Sequence, residues 1–398
     1  MIASRLSGTI FTAPMFFVGF GVLMANWGYA EGETAEHALH LVAEIALVVL
    51  LFLDASQINF AKLRGHHAWP QRMLLIGLPL AVLFGVGAAY PFLPGWPLAA
   101  IALVAAILAP TDAALGQAVV TNKAVPEPAR RSLTVESGLN DGMSLPIILL
   151  FTCMVAGLGG EAGSEEMNWL AFAAGQITLG PAAGIVIGLI GGKFLVFAQD
   201  RGWTSEVFEG IASLALAGLA YTAATKIGGN GFISSFVAGL VFGNIVKDKC
   251  QFIFEFAESE GQILIWGAFF LLGLALVPEA VEHLTPEILG LILVSLFIVR
   301  PLAIWISLIG SDARTHTRLF FGWFGPRGLA TALFALLVVP EVGHEFAEPV
   351  LHIAINAVWI SALLHGLTAA PWAKFYGARS AMQNPTPDNL ELTKQGPS

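Results

Sequence analysis

Long, mostly apolar stretches follow one another along almost the whole chain. A helix of about 20 such residues crosses the roughly 30 Å hydrocarbon core of a lipid bilayer. The composition agrees with this interpretation: 56% of the residues are hydrophobic and only 12% are charged, whereas soluble domains carry about 25% charged residues. The sequence therefore predicts an all-α protein that crosses a membrane many times.

The apolar stretches divide into about twelve predicted helices, separated by short polar loops. We expect the membrane domain to occupy residues 1–377 and the polar segment 378–398 to form a short disordered cytoplasmic tail. The predicted helices lie near residues 9–28, 38–55, 73–93, 97–120, 131–155, 170–197, 208–226, 231–246, 261–277, 286–309, 317–339 and 350–372.

The charged residues indicate how the helices are oriented. Most of the 19 lysines and arginines fall in alternate loops or at the termini, and the intervening loops carry glutamates instead. Basic residues stay on the cytoplasmic side, so both termini are expected in the cytoplasm of a cell whose plasma (inner) membrane holds the protein. Because the charges are sorted by side, the net charge of −9 does not indicate a basic partner, and no nucleic-acid partner is expected.

Four polar side chains fall inside predicted helices, namely Asp112, Glu136, Asn140 and Asp141. A charged side chain at the centre of a bilayer costs about 2.5–3.5 kcal/mol, so such residues usually serve a function. Three carboxylates this close in the chain, beside a helix-breaking proline and glycines, predict an ion-binding site.

Two predicted helices are interrupted. Pro110 removes a backbone donor from the fourth helix, and Gly325–Gly328 (GPRG) does the same in the eleventh. Their places in the order of helices give them opposite directions, and paired broken helices are typical of transporters built from inverted repeats. We expect crossing broken helices, a first repeat at about 9–155, a linker helix at about 170–197 and a second repeat at about 208–372.

Helical spacing separates the polar residues of the fifth helix. Ser137 and Asp141 share one face, while Glu136 and Asn140 share the adjacent face. Asp141 and Ser137, with Thr111–Asp112 brought alongside from the broken helix, would present only oxygen atoms. Hard cations prefer such ligands, so these four residues are the predicted metal ligands for a monovalent cation such as Na⁺.

Glu136 requires a partner of its own, because an unpaired buried charge is costly. Arg300 and Arg327 are the two basic side chains predicted at membrane depth. We expect Arg300 to pair with Glu136 and Arg327 to compensate charge near the second helix break, although the sequence leaves the reverse assignment open.

Several motifs resemble those of a known family. APTDAALG (Ala109–Gly116), ESGLNDG (Glu136–Gly142) and GPRG (Gly325–Gly328) resemble signature segments of the monovalent cation–proton antiporters, in the electroneutral, NhaP-like branch of sodium/proton exchangers. LFLDA (Leu51–Ala55) and GFISSFVAGLVFGN (Gly231–Asn244) are also similar to that family. The resemblance implies a homodimer with an elevator-like motion, whose transported ions are substrates and which needs no cofactor.

The resemblance also implies roles for individual residues. Asp141 would carry the cation and the proton, and Asn140 would mark the electroneutral branch. The remaining residues would complete the site or pair with an arginine: Asp112, Thr111, Ser137 and Glu136. Two departures stand out, because Thr111–Ala113 reads Thr-Asp-Ala where many members have Thr-Asp-Pro, and a first span found in many members is expected to be missing.

These observations predict a secondary antiporter. Burial disfavours a bare carboxylate, so a proton and a cation would compete for Asp141, and only the loaded site would cross the membrane. Asn140 adds no second charge, which predicts electroneutral exchange of one Na⁺ (or Li⁺) for one H⁺. K⁺/H⁺ antiport is the alternative, and a proton-coupled symporter of an organic solute is a weaker one.

An intramembrane enzyme is the other class considered, and the sequence argues against it. His344–Glu348 lacks the second histidine of a zinc-protease motif, and no Gly-x-Ser-x-Gly elbow occurs. Among other polar residues, Asp54 is expected at the cytoplasmic end of its helix, and Glu44 at a domain or oligomer interface or in transport. His352 and His365 are expected to be packed or interfacial.

Overall fold

The computed structural model describes residues 12–28, 33–58, 68–158, 169–247, 249–250 and 252–383, which form α-helices joined by short loops and contain no strand. The principal helices of this part are labelled α1 to α12, with halves a and b where a helix is interrupted. They are α1 (Ala13–Asn26), α2 (Glu33–Ser56), α3 (Trp69–Ala89), α4a (Leu98–Ile107), α4b (Ala113–Val120), α5 (Glu127–Leu158), α6 (Trp169–Asp200), α7 (Glu206–Lys226), α8 (Gly231–Val246), α9 (Phe252–Ala275), α10 (Pro286–Ser307), α11a (Thr315–Trp323), α11b (Leu329–Val338) and α12 (His344–Gln383). A short helix, Val277–Glu282, lies between α9 and α10.

Six of the described helices are long and apolar enough to cross a bilayer: α3, α5, α6, α7, α10 and α12. Five shorter apolar stretches of 10–17 residues accompany them, and two of these are the half-helices α4a and α11b. The predicted all-α membrane fold with two broken, crossing helices is confirmed.

Two helix boundaries differ from the sequence-based prediction. α9 begins at Phe252 rather than near residue 261, and α12 continues to Gln383 instead of ending near residue 372. The Tyr376 ring stacks on Phe320 of α11a with 4.0 Å between ring centroids, and its hydroxyl lies 3.2 Å from that of Thr317. Because these contacts extend α12, the predicted start of a disordered tail at 378 is wrong; residues 384–398 lie outside the described part.

Helices from opposite ends of the chain pack together reciprocally. α1 lies along α9, and α2 lies along α8. A Cβ atom added to Gly273 of α9 would lie 2.2 Å from the carbonyl oxygen of Val18, and one added to Gly243 of α8 would lie 1.9 Å from that of Ser56. Glycine therefore allows backbone-to-backbone contact in both pairs, as small residues commonly do in membranes.

This reciprocal packing divides the chain into two similar halves. If α1–α5 and α8–α12 are the two halves, α1 and α8 occupy the first position in each half, and α2 and α9 the second. In both contacts a first helix then packs on the second helix of the other half. α1 and α8 run in opposite directions if each principal helix crosses once. We infer that the second repeat begins at Gly231 rather than near residue 208, and that α6 and α7 both lie between the repeats.

The two breaks lie in the interior of the protein. α4a is buried from Ala99 to Ile107, and α11b is buried over most of its length. Each half-helix meets an extended segment, residues 108–112 or 324–328. Non-helical backbone is tolerated at membrane depth only where protein or water satisfies its polar groups. The fold thus places two such segments where a polar site can form.

Candidate cation-binding site

Asp112 joins the two helix breaks through two hydrogen bonds. The Asp112 amide donates to the carbonyl oxygen of Pro326 at 2.9 Å, and the Leu329 amide donates to Asp112 Oδ2 at 2.7 Å. Leu329 begins α11b, where the first amides lack partners within the helix and the helix dipole favours a negative charge. Asp112 therefore caps a half-helix that belongs to the other half of the chain.

Gly328 leaves the space that this contact requires. A Cβ atom added at Gly328 would lie 1.9 Å from Asp112 Oδ2 and 2.3 Å from its carboxyl carbon. No real pair of atoms sits so close, so any larger residue would displace the carboxylate. The second glycine of the GPRG motif is thus explained by the approach of Asp112.

The polar face of α5 contacts the first break. Ser137 Oγ donates to the Thr111 carbonyl oxygen at 2.7 Å, and Asn140 Nδ2 donates to Thr111 Oγ1 at 2.6 Å. All three side chains are buried, and Asn140 Oδ1 has no hydrogen-bond partner among the described residues. These bonds fix the extended segment 108–112 against the helix that carries Asp141.

The structure pairs Glu136 with Arg300. Arg300 Nη1 donates to Glu136 Oε1 at 3.1 Å and Nη2 donates to Oε2 at 3.0 Å, and both residues are only 3% exposed. Bidentate contacts of this kind are among the stronger charge-assisted hydrogen bonds. Both carboxylate oxygens of Glu136 are therefore occupied by one guanidinium group.

Arg327 has a different environment at the second break. It is 1% exposed, and its guanidinium donates to the carbonyl oxygen of Gly325 at 2.9 Å and to Ser295 Oγ at 3.4 Å. A Cβ atom added to Gly325 would lie 1.5 Å from Arg300 Nε, so the Arg300 side chain lies directly on this glycine. Two buried arginines thus flank the second break.

A cavity of about 350 Å³ reaches the crossing, and its lining includes Asp141, Asp112, Ser137 and Asp54. Asp141 Oδ1 is buried and has no hydrogen-bond partner among the described residues. Carboxylate and hydroxyl oxygens are the ligands that hard cations prefer. The lining is therefore suited to a small cation or a proton.

The mouth of the cavity lies on one side of the protein. Gln57, Thr121 and Thr134 line it and are exposed, near the end of α2, the end of α4b and the first part of α5. The half-buried side chain of Asp141 is thus reached from the side on which these helix ends lie.

Some of the predicted site residues line the cavity and others do not. Asp141, Asp112 and Ser137 line the cavity, whereas Glu136 and Thr111 do not. Arg300 occupies both carboxylate oxygens of Glu136. Glu136 forms an ion pair, and the side chain and carbonyl of Thr111 accept hydrogen bonds from α5, so the part that each plays in cation binding stays a prediction.

Asp54 also lines the cavity, although the sequence predicts it only at the end of its helix. It lies near the end of α2, one turn before the exposed Gln57. A polar residue near a helix end is common at any membrane surface, so its position in the sequence gives little signal. Glu44 lies outside the cavity, exposed on α2, and accepts a hydrogen bond from the Tyr221 hydroxyl of α7.

Comparison with known proteins agrees with this geometry. The model of the family described as "Sodium/hydrogen exchanger, transmembrane" matches residues 2–375. The chain is 28% identical over 395 residues to the K⁺/H⁺ antiporter NhaP2 of Shewanella oneidensis, covering 96% of this chain and 65% of that protein. It is 26% identical over 385 residues to the K⁺/H⁺ antiporter NhaP of Alkalimonas amylolytica, covering 94% and 64%.

The chain thus spans about two thirds of the length of these relatives. Among solved structures, the sodium proton antiporter MjNhaP1 from Methanocaldococcus jannaschii at pH 8 superimposes with a TM-score of 0.75 at 19% identity, over 92% of each chain. That similarity establishes the fold, and the family model covers nearly the whole chain. The chain therefore belongs to the sodium/hydrogen exchanger family, a family of membrane transporters rather than enzymes.

Proposed function

We propose that this protein exchanges a monovalent cation for a proton, and that both ligands compete for Asp141. The observation that carries the proposal is the buried, unpartnered Oδ1 of Asp141 in a cavity shared with Asp112 and Ser137. In water-excluding surroundings a carboxylate is stable only when it binds a proton or a cation. The transported ions are substrates of the exchange, and no cofactor is required.

The exchange is electroneutral, with one cation moved for one proton. Asn140 lies beside Asp141 in the sequence and donates to Thr111, so it adds no titrating group next to the carrier. Glu136 is neutralised by Arg300. A site loaded with either ligand has lost the free charge of Asp141 and can cross, whereas the empty charged site crosses poorly. This asymmetry couples the two fluxes by alternating access.

The transported cation is Na⁺, and Li⁺ would follow the same route. A small cluster of carboxylate and hydroxyl oxygens favours a compact cation, and MjNhaP1, which shares the fold, is a sodium proton antiporter. K⁺ is the second candidate, because the NhaP2 and NhaP relatives are K⁺/H⁺ antiporters. An organic solute is disfavoured, since charged oxygens line the deepest part of the cavity.

We place the protein in the plasma (inner) membrane with both termini in the cytoplasm, where it would contribute to pH homeostasis as a homodimer. The sorting of basic residues supports the orientation. The homodimer follows from the family resemblance, and sedimentation of the detergent-solubilised protein would test it.

Transport by purified protein in liposomes tests the function directly. Acid-loaded vesicles with a trapped pH dye should become alkaline inside when Na⁺ or Li⁺ is added outside, with a smaller response to K⁺. A membrane potential set by an ionophore should not change the rate. Strong dependence on the potential would refute electroneutral exchange. A larger response to K⁺ than to Na⁺ would identify K⁺ as the transported cation.

Asp141→Asn should abolish exchange, because the amide can bind neither a proton nor a cation with a full charge. The variant should remain folded and elute as wild type in size-exclusion chromatography. Leu219→Ala, an exposed position on α7, is the matched control and should transport normally. Exchange by the folded Asp141→Asn protein would remove Asp141 from the carrier role.

A further inference from the structure

Two side chains of α12 contact both ends of the extended segment 324–328. Ser361 Oγ accepts a hydrogen bond from the Arg327 amide at 2.8 Å, and His365 Nε2 lies 2.9 Å from the carbonyl oxygen of Trp323. Ser361 is fully buried and His365 is 2% exposed. A helix break frees backbone groups that lipid cannot satisfy, and these contacts account for one such group on each side of Pro326.

Both ring nitrogens of His365 face a backbone carbonyl oxygen, which can only accept. Nε2 lies 2.9 Å from that of Trp323, and Nδ1 lies 2.9 Å from that of Ser361 and 3.1 Å from Ser361 Oγ. A charged imidazole would add a positive charge close to Arg327, whose guanidinium donates to Gly325 and Ser295 rather than to a carboxylate. The neutral ring carries one hydrogen, and in the tautomer with that hydrogen on Nε2, Nδ1 accepts from the Ser361 hydroxyl.

In this tautomer the series of bonds has one direction. The Arg327 amide donates to Ser361 Oγ, the Ser361 hydroxyl donates to His365 Nδ1, and His365 Nε2 donates to the Trp323 carbonyl. The series begins and ends on the same segment of α11, so it closes a ring around the break. We name Ser361 and His365 the α12 clamp.

A second pair of contacts holds the end of α11a against the same face of α12. The Trp323 ring stacks on the His365 ring with 4.8 Å between centroids and 23° between planes. Its Nε1 donates to Thr368 Oγ1 at 3.0 Å. Positions 361, 365 and 368 share a helix face because they are four and three residues apart. Trp323 is therefore fixed through both its backbone and its side chain.

We propose that His365 is a positioning residue for ion exchange, which acts by fixing the shape of the second helix break. Pro326, inside the clamped segment, accepts the hydrogen bond from the Asp112 amide, and Leu329, just after it, donates to the Asp112 carboxylate. The clamp thus sets where Asp112 stands in the cavity, although neither clamp residue lines it. This inference rests on the proposed function for its effect on transport, but its structural part stands independently.

Two substitutions at one position separate hydrogen bonding from bulk. His365→Gln places an amide donor and a carbonyl acceptor at the end of a side chain of similar reach, whereas His365→Leu fills the space with neither. We expect His365→Leu to lower the cation–proton exchange rate about tenfold, the effect of losing a buried hydrogen bond. His365→Gln should stay within about threefold of wild type by the same reasoning. Leu367→Ala, at an exposed position of α12, is the control.

Ser361→Ala tests whether the two residues act as one unit. If they do, Ser361→Ala combined with His365→Leu should be no slower than His365→Leu alone, because coupled residues are not additive. Multiplying effects would mean that the two residues act separately, which would overturn the clamp.

Hydrogen exchange of the backbone gives a measurement that does not depend on transport. Peptides containing residues 324–329 should exchange faster in His365→Leu than in wild type, while His365→Gln should protect them. Equal protection in all three proteins, or equal loss of transport in the Gln and Leu variants, would refute the inference. Wild-type protein inactive with Na⁺, Li⁺ and K⁺ would refute the proposed function, and the exchange pattern would still decide the clamp.

Discussion

At the scale of single residues, the carboxylates at membrane depth differ in what occupies their oxygen atoms. Glu136 gives both oxygens to Arg300, and Asp112 holds the first amide of α11b with one. Asp141 Oδ1 is buried and has no hydrogen-bond partner among the described residues. A residue whose oxygens are already bonded has little affinity left for a cation, so this difference supports the carrier role that we propose for Asp141.

Removing one partner of the buried ion pair between Glu136 and Arg300 should strongly destabilise the folded protein. Glu136→Gln leaves the Arg300 charge buried beside Gly325, and breaking such a pair costs about 3–5 kcal/mol. Thermal unfolding in detergent should show a clear loss of stability. Replacing both residues, as in Glu136→Leu with Arg300→Met, should be less damaging because no charge remains. If Glu136→Gln unfolds at the wild-type temperature, the pair does not support the fold.

Gly328→Ala should weaken cation binding, because the added Cβ atom would overlap the Asp112 carboxylate. We expect a several-fold higher half-saturating cation concentration, since a displaced ligand loses about 1–3 kcal/mol of contact. Gly218→Ala is the matched control, because nothing lies within 4 Å of a Cβ atom added there. Unchanged half-saturation in Gly328→Ala would show that the position of Asp112 does not matter for binding.

The sequence could separate these roles only in part. Helical spacing distinguished Glu136 from Asp141, because the two lie on the same helix and their directions follow from local geometry. The sequence favoured Arg300 over Arg327 as the partner of Glu136 but left the reverse assignment open, since that partner lies 164 residues away in the chain and tertiary packing selects it. The surroundings of Asp54 and His365 could not be predicted for the same reason, because they come from residues on other helices.

At the scale of helices, the breaks themselves are local and were predictable. Pro110 and the GPRG segment prevent a continuous helix, and the structure interrupts α4 and α11 at these places. The hydrogen-bond partners of the freed backbone groups could not be predicted from the sequence. They bond across to the other broken helix and to α12, so each break is completed by residues that are distant in the chain.

The Thr-Asp-Ala sequence at the first break leads to a prediction about α4b. Ala113 is the first residue of α4b, a position where proline is well accommodated because its missing N–H would have had no helical partner. Ala113→Pro should therefore retain exchange within about twofold of wild type in the liposome assay. Gly116→Pro, inside the same half-helix, should abolish it because the ring breaks the helix. Loss of activity in Ala113→Pro would mean that this amide is needed.

At the scale of the whole molecule, three exposed residues of the cavity lining, Gln57, Thr121 and Thr134, lie near helix ends that share one side of the protein. The proposed orientation places that side in the cytoplasm. The structure thus corresponds to an inward-open state under the proposed orientation. The broken helices cross at the inner end of this cavity, where the site could be presented to the opposite side.

Cysteine labelling tests both the orientation and the open side. In a variant lacking Cys153 and Cys250, Thr134→Cys should react with a membrane-impermeant maleimide added from the cytoplasmic side. Lys226→Cys is exposed at the C-terminal end of α7, which the proposed topology places outside, and should react only from the outside. The reverse pattern would invert the proposed topology, and labelling of Thr134→Cys from the outside would contradict the inward-open state.

The reciprocal packing of α1 on α9 and of α2 on α8 has a consequence for how the protein is made. The first two helices enter the bilayer long before the ribosome has synthesised their partners, so the surfaces that later contact the glycines of α8 and α9 initially face lipid. Contacts of this kind can form only after the second half has been inserted. A nascent chain stalled after α7 would thus contain inserted helices but no crossing of the broken helices α4 and α11. The ion site would form last, after the second half has been inserted.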